Sequence, residues 1–504
     1  MKFQLQSTRT NRALSGLAVD YFGTILNIGL SFVVTPWLVY LLKPELYGFW
    51  IVAAQVLFWL NLLDGGSGLY LVKAISRYQQ SPQQVNRAIA TVFWTYVLLA
   101  IPTLGIGWAV APAVSRWAHL AAANSSAGIL AFRISVIAAT VTLVVGPTFQ
   151  AVLFGYQKLA AMNTIVSCVA ASALLCGFVF LKMGGGIVSL AVAQLMATWA
   201  GAAVTVIFAR RLCPLNLSPR QFDRGEVREI FHFTAYFQMS KVAFVGNMFS
   251  DGFLIAGSLG SAAVSIYSLT QKLAMSASTF ISKIVGAVMP GLAEIFVVRD
   301  TERIQAVTVR LVSIMARVSI LAFILLVAVN QRFVNLWVGR QYFGGILITL
   351  LFSYVVLRNG LIGTFSAYLF STGDLKAWGW LSLVEAATKI SLTIFLLPRI
   401  GIVAPALGTA VGGLITTIYL PAKIASMSGL GVSDLFWQGL APAVWRSIPT
   451  VALVVILYLL IPQTWGWSAL PCIVMPALIM NTFCFDRELL ERCWVRWRLR
   501  TVSD

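Results

Sequence analysis

Along this chain, long apolar runs alternate with short polar segments, and the runs recur from one end to the other. A helix needs about 20 apolar residues to cross the hydrocarbon core of a bilayer. Fourteen stretches meet that need, near residues 17–41, 48–72, 88–111, 129–153, 159–181, 187–209, 233–258, 262–285, 309–329, 343–370, 377–397, 402–424, 441–461 and 467–485. The pattern predicts an all-α integral membrane protein with about 14 transmembrane helices. The seventh and eighth stretches are the most polar of the set. The first is too long for a signal-peptide core, and no small-residue cleavage site follows it, so it reads as a retained helix.

Inside several stretches the polar residues line one face. In the eighth, Ser265, Ser268, Lys272, Ser276, Thr279 and Lys283 recur at spacings of 3 and 4. Asp20, Thr24, Asn27, Ser31 and Thr35 do so in the first, and Ser382, Glu385, Lys389 and Thr393 in the eleventh. The seventh adds Lys241, Asn247 and Asp251, and the ninth and tenth add Arg317 and Arg358 near mid-span. A charge at the bilayer centre costs about 2.5–3.5 kcal/mol on insertion scales, so these side chains are expected to face protein or water. Serine and threonine stripes also serve plain helix packing, and Glu385–Lys389 has the spacing of an i,i+4 ion pair.

In the second half the cations Lys241, Lys272, Lys283, Arg317, Arg358 and Lys389 outnumber the acids Asp251 and Glu385. A cavity lined by them would be cationic and would take an anion. Phosphate suits both ammonium and guanidinium. These six are the candidate substrate-binding residues, and Lys272, Arg317 and Arg358 are expected to present their charged ends. Asp20, Asn27, Asp64, Asp251, Ser276 and Glu385 are the candidate cavity-lining or ion-coupling positions. Arg133, near the outer end of the fourth stretch, suits a snorkelling side chain.

The chain also repeats itself. "TFQAVLFGYQKL" (Thr148–Leu159) aligns with "TFSAYLFSTGDL" (Thr364–Leu375) at an offset of 216, and "GIVSLA" (Gly186–Ala191) with "GIVAPA" (Gly401–Ala406) at 215. The offset spans six predicted helices. Six is even, so the halves are expected to be parallel repeats. Residues 1–210 would form an N-lobe of helices 1–6, 211–230 a cytoplasmic linker, and 231–426 a C-lobe of helices 7–12. Residues 427–504 would hold helices 13 and 14 and a basic tail.

Composition agrees with a membrane protein: 59% of the 504 residues are hydrophobic and 11% charged. Soluble chains sit near about 45–50% and 25%. The net charge of +19 is distributed in a way that does not point to nucleic acid. Outer loops hold only Lys43, Arg116, Lys182, Arg332, Arg340 and Arg399, while the linker, the inner loops and the tail "ERCWVRWRLR" are rich in arginine and lysine. That bias puts both termini in the cytoplasm, with the tail against anionic lipid. Six cysteines form no C-x-x-C pair and the two histidines, His119 and His232, are far apart, so neither a metal site nor Ser-His-Asp chemistry is expected. No cofactor is implied. No outer loop is large, which disfavours an enzyme with an external catalytic domain.

One segment, "FWLNLLDGGSGLYLV" (Phe58–Val72), sets Asp64 beside Gly65, Gly66 and Gly68. It lacks both G-x-G-x-x-G and a following Lys-Ser/Thr, so it is no nucleotide loop. Its glycines permit close packing or a bend, and Asp64, with Asn61 one turn earlier, is expected at the cavity mouth.

The surrounding stretch, Leu41–Tyr78, resembles the second-helix region of bacterial polysaccharide transporters, the Wzx-type flippases. Tyr47, Gly48, Phe49 and Trp50 start the helix, Asp64, Gly65 and Gly68 form its glycine-rich step, and Lys73 and Arg77 follow in a basic inner loop. The wider superfamily includes MATE-type multidrug extruders and lipid II flippases. The resemblance implies two bundles around a central cavity with alternating access, in a bacterial inner membrane. It implies export of an oligosaccharide linked to undecaprenyl diphosphate, with a glycan polymerase and chain-length proteins as partners, and a proton or sodium gradient as driver. A MATE-type organic-cation antiporter is opposed by the basic stripes, and a membrane glycan polymerase or ligase by the short outer loops.

Overall fold

The computed structural model describes residues 2–63, 66–78, 81–298, 301–372 and 375–485. The Asp64 expectation and that for the basic tail lie outside them. Helix α1 runs Lys2–Leu60, α2 Ser67–Arg77, α3 Pro82–Trp117, α4 Ala122–Val145, α5 Ala151–Gly155, α6 Leu159–Lys182, α7 Gly186–Leu212, α8 Arg224–Phe249 and α9 Asp251–Leu259. The chain continues with α10 Ser261–Val298, α11 Thr301–Trp337, α12 Ile346–Thr372, α13 Leu375–Ile400, α14 Val403–Gly412, α15 Leu414–Ser428, α16 Val432–Asp434, α17 Ala441–Leu460 and α18 Ala469–Phe485. Each of the fourteen apolar stretches maps onto one or two of these helices, and the described residues include no strand.

By length and apolarity 11 helices among the described residues can cross a membrane, or up to 12 if the bent pair α8–α9 is one span. One of the 11, Ser15–Leu60, is 46 residues long and is broken at Lys43 (φ 61, ψ 165). The next residue is Pro44, whose ring disfavours helical backbone in the residue before it. Of the two most polar stretches, the seventh qualifies only as the bent pair, and the eighth, α10, is not among the qualifying helices.

The glycine-rich step is a break. Gly66 has φ 77, left-handed backbone suited to glycine. Beyond it α2 buries Tyr70, Leu71, Ala74 and Ile75 on one face and exposes Lys73, Ser76 and Arg77 on the other, an amphipathic pattern rather than a spanning one. The Tyr96 hydroxyl donates to Ser67 Oγ at 2.8 Å and accepts the Ser67 N–H, supplying the cap that α2 lacks.

By compactness the chain divides into residues 1–265 with 375–405, and residues 266–374 with 406–504. This division differs from that of the repeat, because α8, α9 and α13 belong to the first unit. There α6 packs along α1 and α7, α4 along α3 and α7, and α8 along α13. A core of Tyr70, Leu71, Ile75, Ile89, Val92, Phe149, Val152 and Leu153 joins α2, α3 and the end of α4–α5. In the second unit α11 packs along α12 and α17, and α17 along α18, around Ile324, Val329, Val454, Ile473 and Ala477.

The repeat is visible in local structure. Leu159 starts α6 and Leu375 starts α13. The matched residues ahead of them are buried alike: Thr148 and Thr364, Phe149 and Phe365, Ala151 and Ala367, Leu153 and Leu369. Gly186 and Gly401, which open the second matched pair, take the same left-handed backbone at φ 57 and φ 59.

Candidate functional site

A dense polar constellation lies in the first unit, where α8 and α9 meet at Ser250 with a bend of 44°. A break inside an apolar span frees backbone groups that lipid cannot satisfy, so protein must supply partners. Four side chains do so. Ser250 Oγ donates to the Gly246 carbonyl at 2.6 Å, and Trp59 Nε1 to the Phe249 carbonyl at 3.0 Å. Lys389 Nζ, from α13, donates to the Asn247 carbonyl. Gln55 Oε1 accepts the Phe253 N–H at 3.1 Å.

Lys389 is the charged member. It is 1% exposed and pairs with Asp251 Oδ1 at 2.7 Å. Asp251 opens α9, where a negative charge also suits the positive end of the helix dipole. Close packing surrounds the break. A Cβ at Gly252 would fall 2.6 Å from Gln55 Oε1, and one at Gly257 2.2 Å from the Trp117 ring. Trp117 stacks on Phe253 at 5.0 Å.

Lys241, earlier in α8, donates to the Asn61 carbonyl at 3.2 Å, and Gln238 donates to the Leu62 carbonyl. Those carbonyls end the helix before the glycine break, where a cation is favoured by the helix dipole. Gly48 has a structural role of its own: a Cβ there would lie 1.8 Å from the Ser261 carbonyl oxygen.

In the second unit Arg358 is 6% exposed. Its Nε donates to the Gly413 carbonyl at 3.0 Å and to Thr417 Oγ1 at 3.1 Å, Nη1 to Asn359 Oδ1 at 3.1 Å, and Nη2 to Thr416 Oγ1. The expectation that Arg358 presents its charged end is therefore corrected. The guanidinium is turned into the α12–α15 contact, where Gly413 leaves room for it: a Cβ there would sit 2.4 Å from Cζ.

Lys272 differs. It is half-buried in α10, and its ammonium has no hydrogen-bond or ion-pair partner among the described residues. Ser276, one turn on, donates to the Lys272 backbone carbonyl at 3.0 Å. Lys283 and Arg317 are half-buried on α10 and α11. Of the remaining positions, Asn27 donates to the Gly23 carbonyl at 2.8 Å and across to the Ser167 carbonyl at 3.3 Å, a packing role between α1 and α6. Asp20 and Glu385 are half-buried. Arg133 lies 4.8 Å over the Trp108 ring, a cation–π contact that explains a cation at that depth.

A profile of the family described as "Polysaccharide biosynthesis protein" matches residues 13–296, more than half of the sequence. The chain belongs to this polysaccharide biosynthesis family. Among solved structures it is similar to the lipid II flippase MurJ in an inward closed conformation, with a TM-score of 0.74, 14% identity, and coverage of 94% of this chain and 99% of that one. It is also similar to an outward-facing multidrug resistance MATE family transporter of the MOP superfamily, with TM-score 0.59, 13% identity and coverage of 82% and 96%. A MOP superfamily transporter from Pyrococcus furiosus with a binding pocket of reverse polarity gives TM-score 0.59, 13% identity and coverage of 83% and 96%. Comparison with curated protein sequences gave no match. This family member is thus a multi-pass membrane protein with the fold shared by these transporters.

The sequence reading missed Gln55, Trp59 and Gln238. Gln55 and Trp59 are four residues apart, hence on one helical face, and polar atoms in an apolar stretch are a usable signal. Their partners are backbone atoms of a helix break, which no spacing rule announces.

Proposed function

We propose that the protein is a flippase that moves an undecaprenyl-diphosphate-linked oligosaccharide, such as an O-antigen, capsule or exopolysaccharide unit, across the bacterial inner membrane by alternating access. Both termini are cytoplasmic in this reading. It is a transporter and not an enzyme, and a proton or sodium gradient drives it. The family membership supports the class. The observation that carries the substrate chemistry is Lys272. It shares a face of α10 with Lys283, and its ammonium is half-buried without a counter-charge among the described residues. An unpaired cation in low dielectric is costly, and a diphosphate passing over it would offset that cost. Binding that rests on so few available cations stays weak enough to release.

In cells, Lys272→Ala should cut surface glycan several-fold with membrane levels near wild type. Lys272→Glu should be worse, since it repels phosphate, and Lys272→Arg the best tolerated. Equal export by Lys272→Glu and wild type would sink the electrostatic part of this reading. Export of organic cations with no effect on surface glycan in a deletion strain would move the assignment to a multidrug antiporter.

A further inference from the structure

At the α8–α9 break, oxygens of two residues one turn apart, Asn247 and Asp251, meet one ammonium. The Asn247 carbonyl accepts from Lys389 Nζ, and the Asp251 carboxylate lies 2.7 Å from the same nitrogen. The Asn247 side-chain oxygen is buried with no hydrogen-bond donor among the described residues. Freed carbonyls at a discontinuous helix, with an acid beside them, are the ligand type that holds monovalent coupling ions in membrane transporters. One carboxylate balances one positive charge. Higher-charge ions demand larger sets of hard oxygens, and the described residues hold no cluster of three or more acids, histidines or cysteines fit for a metal.

We propose that this break is a monovalent-cation site which the chain fills with its own ammonium. Lys389 Nζ takes the place of an alkali-metal ion between the Asn247 carbonyl and Asp251. The wild-type protein then needs no dissolved sodium or potassium at this position, and its conformational cycle carries the cation on a tether. An ammonium and a potassium ion are close in size, so potassium should enter an emptied site at least as readily as sodium. This inference is independent of which glycan, if any, is carried.

The test is thermal unfolding of the purified full-length protein in detergent, in equimolar sodium, potassium or choline chloride. The wild type should melt at one temperature in all three. Lys389→Ala should melt lower in choline and recover in potassium or sodium, by about 2 °C or more and saturably with ion concentration. The bulkier Lys389→Met should show the lowered melting with little recovery, because its side chain occupies the space. The neutral double variant Asp251→Asn with Lys389→Met should fold and respond to no cation. Three results would overturn the proposal. One is a wild-type melting temperature that rises with sodium or potassium and loses that rise in Asp251→Asn. Another is a folded Lys389→Ala that is indifferent to all three salts. The third is a Lys389→Ala that fails to fold in every salt while the double variant folds.

Discussion

Two cations near mid-span, Lys389 in the first unit and Arg358 in the second, are both nearly inaccessible, at 1% and 6% exposed. They are held by different sets of partners. Lys389 is balanced by a carboxylate and caps a freed carbonyl. Arg358 donates to a backbone carbonyl, two threonine hydroxyls and an asparagine amide. The difference follows from their chemistry. An ammonium is a compact, strongly hydrated charge that needs a full counter-charge when dry, whereas guanidinium spreads its charge over five donors and can be met by several dipoles. Burial of a cation in this fold is therefore two problems with two solutions, and the two regions should fail differently.

The largest effect is expected at Lys389. Lys389→Ala removes the ammonium 2.7 Å from the buried Asp251 carboxylate, at about 3–5 kcal/mol when no cation replaces it. Asp251→Asn with Lys389→Met should recover most of that loss, and chemical unfolding of the three proteins in choline measures both. If the double variant is no more stable than Lys389→Ala, the charge is not what matters in the first unit.

Arg358→Ala should cost less, about 1–3 kcal/mol. Thr416 and Thr417 still donate to the Gly413 carbonyl at 3.1 and 2.9 Å. Gly413→Ala should do similar damage by expelling the guanidinium from its space. Combining it with Arg358→Ala should cost less than the sum, which a double-mutant cycle reads directly. Full additivity would break the link between the glycine and the arginine.

Smaller still is the exposed pair Arg87–Asp223, whose side chains are 56% and 26% exposed. Solvent screens it, so Arg87→Ala should cost about 0–1 kcal/mol, and less at high salt. The smallest effect is expected at Lys272. Removing a half-buried ammonium without a counter-charge should leave stability unchanged or slightly raised, a result read from melting temperature beside the transport assay. Marked destabilisation by Lys272→Ala would mean that Lys272 is held within the protein as Lys389 and Arg358 are.

The sequence by itself determined the helical class, the apolar stretches and the repeat. These are legible because spanning length and left-handed glycine turns are properties of short, contiguous segments. Gly186 and Gly401 could be matched from six letters each, and their backbones agree. It also found the cations, since a lysine in an apolar run stands out wherever it points. Which cations are engaged was decided by tertiary structure alone. Lys389 and the carbonyl it caps are 142 residues apart, and Arg358 and Thr416 are 58 apart. The spacing in the sequence suggested Glu385 as a partner of Lys389, but the fold brings Asp251 to it. The break that Lys389 caps is also met by Gln55 and Trp59, from far along the chain. Whether a buried charge is structural or available depends on what lies within about 3 Å of it, and that distance is not written along the chain.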